Sequence, residues 1–228
     1  MLLAVSGKRV GVLDFDLQSP GMQILFGLRD YAIEHYVNDA LSGACDIVET
    51  AIPLHEHLDP TPEGQLFVCP ANPDPSAVAA SAQQDKPPSL LQETIYTLRD
   101  GLKLDMLLVD NHAGIHQTSL SAMSTADRVV ILFRIDHQDH QGTAVMVDLA
   151  HNLDLDEGTI KLVANEVPGS VDVQSVLRDA FDTFDAPVIG VLPHTEDLQA
   201  LGSREIFSEA YPDHPVTVSI KQIAAQLW

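Results

Sequence analysis

Basic residues are scarce in this chain. Twelve Lys and Arg face 33 Asp and Glu, a formal charge of −21 over 228 residues. No cluster among the bases offsets the acids, so non-specific binding to nucleic-acid phosphate is opposed over most of the surface. The same acid-rich, lysine-poor balance also fits a salt-adapted cytoplasm. Cysteine is nearly absent: Cys45 and Cys69 stand far apart and match no metal or redox spacing. A disulfide framework is thereby excluded, and a reduced, cytoplasmic setting is expected. No run of 18 apolar residues occurs, which excludes a transmembrane helix. The opening Met1-Leu-Leu-Ala-Val-Ser is too short and unflanked for a signal peptide. Repeats, linkers and low-complexity segments are missing too, so 1–228 is read as a single domain. At 45% hydrophobic content, that domain can bury a sizeable core.

What is present is organised around Val10–Gly21, V-G-V-L-D-F-D-L-Q-S-P-G. Its apolar start reads as a buried strand, Arg9–Leu13, preceded by a helix end at Met1–Ser6 with Gly7 as its cap. Further strands are predicted at Gln65–Cys69, Leu104–Asp110, within Asp127–Arg134, at Thr159–Asn165 and at Pro187–Leu192. Helices are predicted between them: a short one over Gly21–Gly27, a weak one over Tyr31–Leu41, then Ser76–Gln84, Ser89–Leu102, Gln117–Met123, Gln138–Asn152 and Val171–Phe184. Glu196–Leu201 and Ser219–Leu227 complete the set. In Ser89–Leu102, Leu90, Leu91, Ile95, Leu98 and Leu102 form a helical stripe. Thr50–Gly64, with three prolines, reads mostly as loop. Strand–helix alternation implies βαβ units and a mainly parallel sheet with right-handed crossovers.

Ligands of such sheets sit beyond the carboxyl ends of the strands. Four strand ends here carry informative residues. The first gives Asp14 and Asp16, and the second gives Asp110 followed by Asn111-His112-Ala113-Gly114. The third gives Asn165, in K-L-V-A-N-E-V-P, and the fourth Pro193, in G-V-L-P-H. All four would share one sheet edge. Acidic residues there commonly manage a metal ion or a water; a plain strand-to-helix turn with solvated Asp accounts for Asp14 and Asp16 equally well. His112 and His116 are spaced to share a helix face, as are His137 and His140, so a metal site is conceivable. With ten histidines in the chain, surface placement is the commoner explanation, and it applies equally to His55-Glu56-His57. Both cysteines read as ordinary buried thiols.

The ordered set resembles the MinD/ParA group of deviant Walker ATPases, within the nitrogenase-iron-protein-like class of P-loop NTPases. G-K-R-V-G-V-L-D-F-D-L-Q-S-P-G resembles that family's second strand and switch I. L-L-V-D-N-H-A-G resembles its switch II strand and loop, usually D-x-P-x-G. L-V-A-N-E-V resembles the base-reading strand, and G-V-L-P-H-T-E-D-L with I-F-S-E-A-Y-P resembles the C-terminal strand and the loop beside the base. The resemblance implies an α/β fold with a three-layer, doubly wound, mainly parallel sheet. It further implies roles: Asp16 orients the attacking water, Asp110 holds Mg2+ through water with Asp14 beside it, Gly114 offers its N–H to the γ-phosphate, and Asn165 and Pro193 attend the base. ATP and Mg2+ are the implied ligands, and an ATP-dependent homodimer with a protein partner is the implied assembly.

One departure outweighs the matches. The family's phosphate-binding loop should precede Asp14 by some distance, but the sequence nowhere satisfies G-x-x-x-x-G-K-[ST]. Around Gly7-Lys8, Leu2 stands where Gly is needed and Arg9 where Ser or Thr is needed; Lys8 reads as a solvated lysine. The chain is therefore expected to lack the family's first strand and P-loop, as an N-terminally truncated form would, with the Leu104–Asp110 and Val129–Phe133 strands left apart or forced together. The final helix, basic only at Lys221, resembles a packing helix, so membrane targeting is not supported by the sequence, and neither is DNA binding. Three functions remain open: an ATPase switch that positions or regulates a cargo, a scaffold that keeps the fold without hydrolysis, and a metal-dependent enzyme built on the Asp and His residues.

Overall fold

The computed structural model describes the whole chain except residues 29–30, 55–62, 84–85, 113, 154 and 156–157. It divides into two compact units, Met1–Thr125 and Ala126–Trp228.

The first unit is built on β1 (Arg9–Asp14). Its neighbours β3 (Gln65–Cys69) and β4 (Met106–Asp110) both run parallel to it. A two-residue strand, β2 (Ile52–Pro53), pairs antiparallel with β3, so the sheet order is β2-β3-β1-β4. Alternation along β1 explains its double burial. Val10 and Val12 join Leu66, Val68, Ala4 and Leu28 in one cluster. Leu13 enters a second cluster with Cys69, Val37, Leu91, Ile95 and Leu98. The sheet therefore carries core on both faces, as a parallel sheet must. The first face is covered by α1 (Leu2–Val5) and the turn after α2 (Met22–Leu25); the second by α3 (Val37–Leu41) and α5 (Pro88–Gly101). α4 (Pro75–Gln83) and α6 (Gln117–Thr125) complete the unit. Gly64 lets β3 enter beside the end of α1: a Cβ there would sit 2.2 Å from the Lys8 carbonyl oxygen.

In the second unit, β5 (Val129–Phe133), β6 (Ile160–Val167) and β7 (Val188–Pro193) form a parallel sheet in that order. α7 (His137–Asn152) starts where Asp136 accepts the N–H groups of Gln138 and Asp139, an N-cap. α8 (Val173–Phe184) starts likewise on Asp172. α9 (Glu196–Leu201), α10 (Phe207–Ala210) and α11 (Pro215–Leu227) follow β7. Gly190 lets α11 seat on β7, since a Cβ there would meet the Ile223 side chain at 2.3 Å.

The mainly parallel α/β expectation holds, and six predicted strands appear within a residue or two of their expected bounds. Four details differ. The weak helix predicted over Tyr31–Leu41 is confined to Val37–Leu41, because Tyr36 is extended and its N–H is taken by the Asp39 carboxylate at 2.8 Å. Part of the proline-bearing loop is β2, where Pro53 is tolerated on an edge strand. α11 begins at Pro215 rather than Ser219, with His214 Nδ1 accepting the Val216 N–H, and α10 was not predicted. Of the two outcomes expected for the Leu104–Asp110 and Val129–Phe133 strands, the unpaired one is seen: among the described residues β4 pairs with β1 alone and β5 with β6 alone. Both are edge strands of wholly apolar or acidic sequence, without the Lys, Pro or bulge that usually blunts an edge.

Candidate nucleotide-handling site

In the first unit, β1 and β4 end level with each other, and Asp14 and Asp110 are register partners. Asp14 is fully buried. Its Oδ1 accepts the Asp16 N–H at 3.1 Å and its Oδ2 the Met22 N–H at 3.4 Å. Burial nonetheless pushes its pKa from 3.8 up to about 6; those N–H groups pull it down, and the Asp110 charge adds to the rise. Asp110 is raised as well, first by burial and then by the charge of Asp16. Asp16 follows two residues after the end of the strand. Its Oδ1 accepts the Ser19 N–H at 2.9 Å, and its Oδ2 lies 3.2 Å from His112 Nδ1. Beside Asp110, the Asn111 Oδ1 is buried without a hydrogen-bond partner among the described residues.

Three carboxylates therefore meet at one strand edge, and two of them are desolvated against like charge. An orphaned amide oxygen lies next to them. Hard oxygen donors of this kind fit Mg2+, which keeps several waters and takes one or two carboxylates. Among the described residues no three His, Cys, Asp or Glu side chains, these carboxylates included, are grouped to enclose a metal ion, so the edge fits a largely hydrated ion on one or two carboxylates and not a zinc-type cage. His112 and His116 do not share a helix face. His112 lies in the loop before α6, and the two rings meet edge-on at 4.9 Å. His140 packs between Phe133 and Phe184 at 5.8 and 5.3 Å; the side chain of His137 and the run His55-Glu56-His57 lie outside what is described. Cys69 is buried and its thiol pushed up to about 12 by burial, whereas Cys45 is half-buried. Gly114 has φ +101, the left-handed region that favours glycine.

In the second unit, Asn165 and Pro193 stand at the ends of neighbouring strands, where Val167 pairs with Pro193. A register shift between Ala164 and Val167, with Glu166 at φ 54, interrupts the β6–β7 ladder there. Bulges of this kind re-aim side chains beside active sites. Asn165 lines a recess of about 240 Å³ with Arg134, Asp139 and Glu166. Arg134 bridges to Asp139 at 2.9 Å and to Glu166 at 3.7 Å. The structure thus brings Asp14, Asp16 and Asp110 together in one unit, and Asn165 and Pro193 to adjacent strand ends in the other. Sequence reasoning missed the Asp16–His112 contact and the Arg134 cluster. The signal for the first was visible as a histidine in the switch II position where the family usually has proline.

A mainly parallel α/β fold with acidic strand ends in one unit and an amide at a bulged strand end in the other defines the class: a chain with the MinD/ParA P-loop NTPase fold. Comparison with known proteins gives the particulars. No protein-family model matches the chain. It is 28% identical over 229 residues to the uncharacterized ATP-binding protein MJ0547 of Methanocaldococcus jannaschii, covering 99% of this chain and 78% of that one. It is 24% identical over 234 residues to the antiactivator FleN of Pseudomonas aeruginosa, covering all of this chain and 78% of FleN. The septum site-determining protein MinD complexed with Mg-ADP, from Pyrococcus horikoshii, superposes with a TM-score of 0.77 at 18% identity, over 99% of this chain and 87% of that one. Structural neighbours of this chain include a cell division ATPase MinD from Pyrococcus furiosus and a ParA family ATPase from Chlorobium tepidum, and the chain shares their fold. Among the described residues no helix is long and apolar enough to cross a membrane.

Proposed function

We propose that this chain works as a MinD/ParA-type ATPase: an ATP-dependent dimerisation switch that positions, partitions or regulates a cellular cargo through a protein partner. The observation that carries this is the register pairing of Asp14 and Asp110 with Asp16 beside them. Its relatives are an ATP-binding protein and an antiactivator, and a structural neighbour is a septum site-determining protein bound to Mg-ADP.

Phosphoryl transfer asks a protein for positioning and charge neutralisation more than for covalent chemistry. Asp110, with Asp14 beside it, would hold Mg2+ through water; bound there, the ion supplies neutralisation of the phosphate charge. Asp16 orients the attacking water, its carboxylate anchored by the Ser19 N–H. Gly114, free of a Cβ, can turn its backbone N–H toward the γ-phosphate. Asn165 presents an amide, donor and acceptor together, to the edge of a base, with Pro193 beside it. The chain 1–228 acts in this scheme as one nucleotide-binding domain.

The sequence holds no G-x-x-x-x-G-K-[ST] turn, so the 228-residue chain is expected to bind ATP weakly or not at all. That observation also favours a second reading, a non-hydrolysing scaffold that keeps the fold. Coding sequence upstream of Met1 separates the two. An in-frame glycine-rich turn with its lysine supports the ATPase, and a chain extended to include it hydrolyses ATP in a manner that depends on Asp16. Its absence supports the scaffold.

A further inference from the structure

We propose that His112 is a positioning residue, whose Nδ1–H holds the Asp16 carboxylate and so ties the loop after β4 to the loop after β1. The proposal rests on the assignment of Asp16 as the water-orienting residue. Its footing is geometric. Asp16 Oδ1 accepts the Ser19 N–H at 2.9 Å and Oδ2 faces His112 Nδ1 at 3.2 Å, across 96 residues of sequence. Each oxygen has its own anchor, so the carboxylate cannot rotate without losing one. An ionised carboxylate accepts and does not donate, which assigns the proton to Nδ1 of the imidazole.

The imidazole is itself held. Its ring meets His116 edge-on at 4.9 Å, and the carbonyl of His112 accepts the Ser119 hydroxyl at 3.3 Å, from the first turn of α6. The Asp16 and His112 side chains are 17% and 34% exposed, so the contact is partly shielded from water. A pair so placed is worth more than an open surface pair. A proline at position 112 would stiffen the loop backbone but could offer no donor to Asp16. Here a side-chain tie between the two loops takes the place of that stiffness. Movement of either loop then carries the other, and the orientation of Asp16 becomes sensitive to both.

NMR on the 228-residue chain tests this without nucleotide. In the wild type the His112 imidazole carries its proton on Nδ1. His112→Ala releases the carboxylate, shifting the Ser19 amide resonance and speeding its hydrogen exchange by about tenfold. His112→Asn, whose amide N–H can reach the same oxygen, restores both. An Ser19 amide unmoved by His112→Ala, or moved equally by His112→Ala and His112→Asn, overturns the proposal. Failure of the ATPase reading shows elsewhere, as hydrolysis indifferent to Asp16, and leaves the Ser19 result standing on its own.

Discussion

Two strand edges in this molecule carry acidic residues, and they are built in opposite ways. At the ends of β1 and β4, Asp14 and Asp110 are desolvated, face like charge, and have pKa values pushed up. Beyond the end of β5, Asp139 in the first turn of α7 lies near the surface with Arg134 2.9 Å away, and its pKa is pulled down by that hydrogen bond. The second arrangement is complete in itself. The first costs stability as it stands, and a cation held there, as proposed, would relieve it. Acidic residues at strand ends thus point to chemistry when they lack internal compensation, and to ordinary surface structure when an arginine supplies it.

The contrast can be broken at several points. The largest effect belongs to Asp16. In a chain that hydrolyses ATP, Asp16→Ala lowers kcat by about 100-fold or more, whereas Asp139→Ala leaves it within about twofold. Hydrolysis assays on the two variants make the comparison, and equal losses would erase the distinction.

Next comes the pH dependence of stability. The folded pKa of Asp14 lies above its ordinary value, at about 6 against 3.8, so the folded chain holds this proton more tightly than the unfolded chain. The contribution of the protonated carboxyl is fully present below the ordinary value and is lost as pH rises through about 6. Asp14→Asn does not titrate, so its stability gains on the wild type between pH 4 and pH 7. Over that window the shift sets the gain at about 2 kcal/mol. Denaturant melts at the two pH values measure it, and millimolar MgCl2 narrows the gap by stabilising the wild type alone.

A smaller loss is expected at Asn165. In a chain extended to bind ATP, Asn165→Ala weakens adenine-nucleotide binding by about tenfold, or roughly 1.4 kcal/mol, and titration with ATP and with triphosphate alone shows whether the loss belongs to the base. The smallest effect is at the compensated edge. Asp139→Asn costs under about 1 kcal/mol at neutral pH, because its partner is exposed, and a thermal melt checks it.

Much of this was legible in the sequence. Apolar runs ending in Asp, Asn or Pro made strands β1, β4, β6 and β7 legible within a residue or two, because a parallel strand flanked by helices reads as a near-continuous run of apolar side chains. The stripe in α5 was legible for a similar reason: Leu91, Ile95 and Leu98 enter the core, and Leu90 and Leu102 pack against it. β2 was not legible, since two residues carry no period, and Pro53 argues against a strand until an edge is known to be available. The start of α11 was hidden by Pro215, which reads as a breaker yet occupies a first-turn position where no N–H is needed. The Asp16–His112 contact spans 96 residues, and no local pattern encodes such a distance. The burial that raises Asp14 belongs to tertiary packing in the same way; the sequence supplied the carboxylate but not its dryness.

Carboxylate 13C NMR of Asp14 across pH 3–9, with and without MgCl2, tests the uncompensated edge most directly. A midpoint near 6 that moves down when Mg2+ is added is the predicted result. A midpoint near the ordinary 3.8, indifferent to Mg2+, would contradict it.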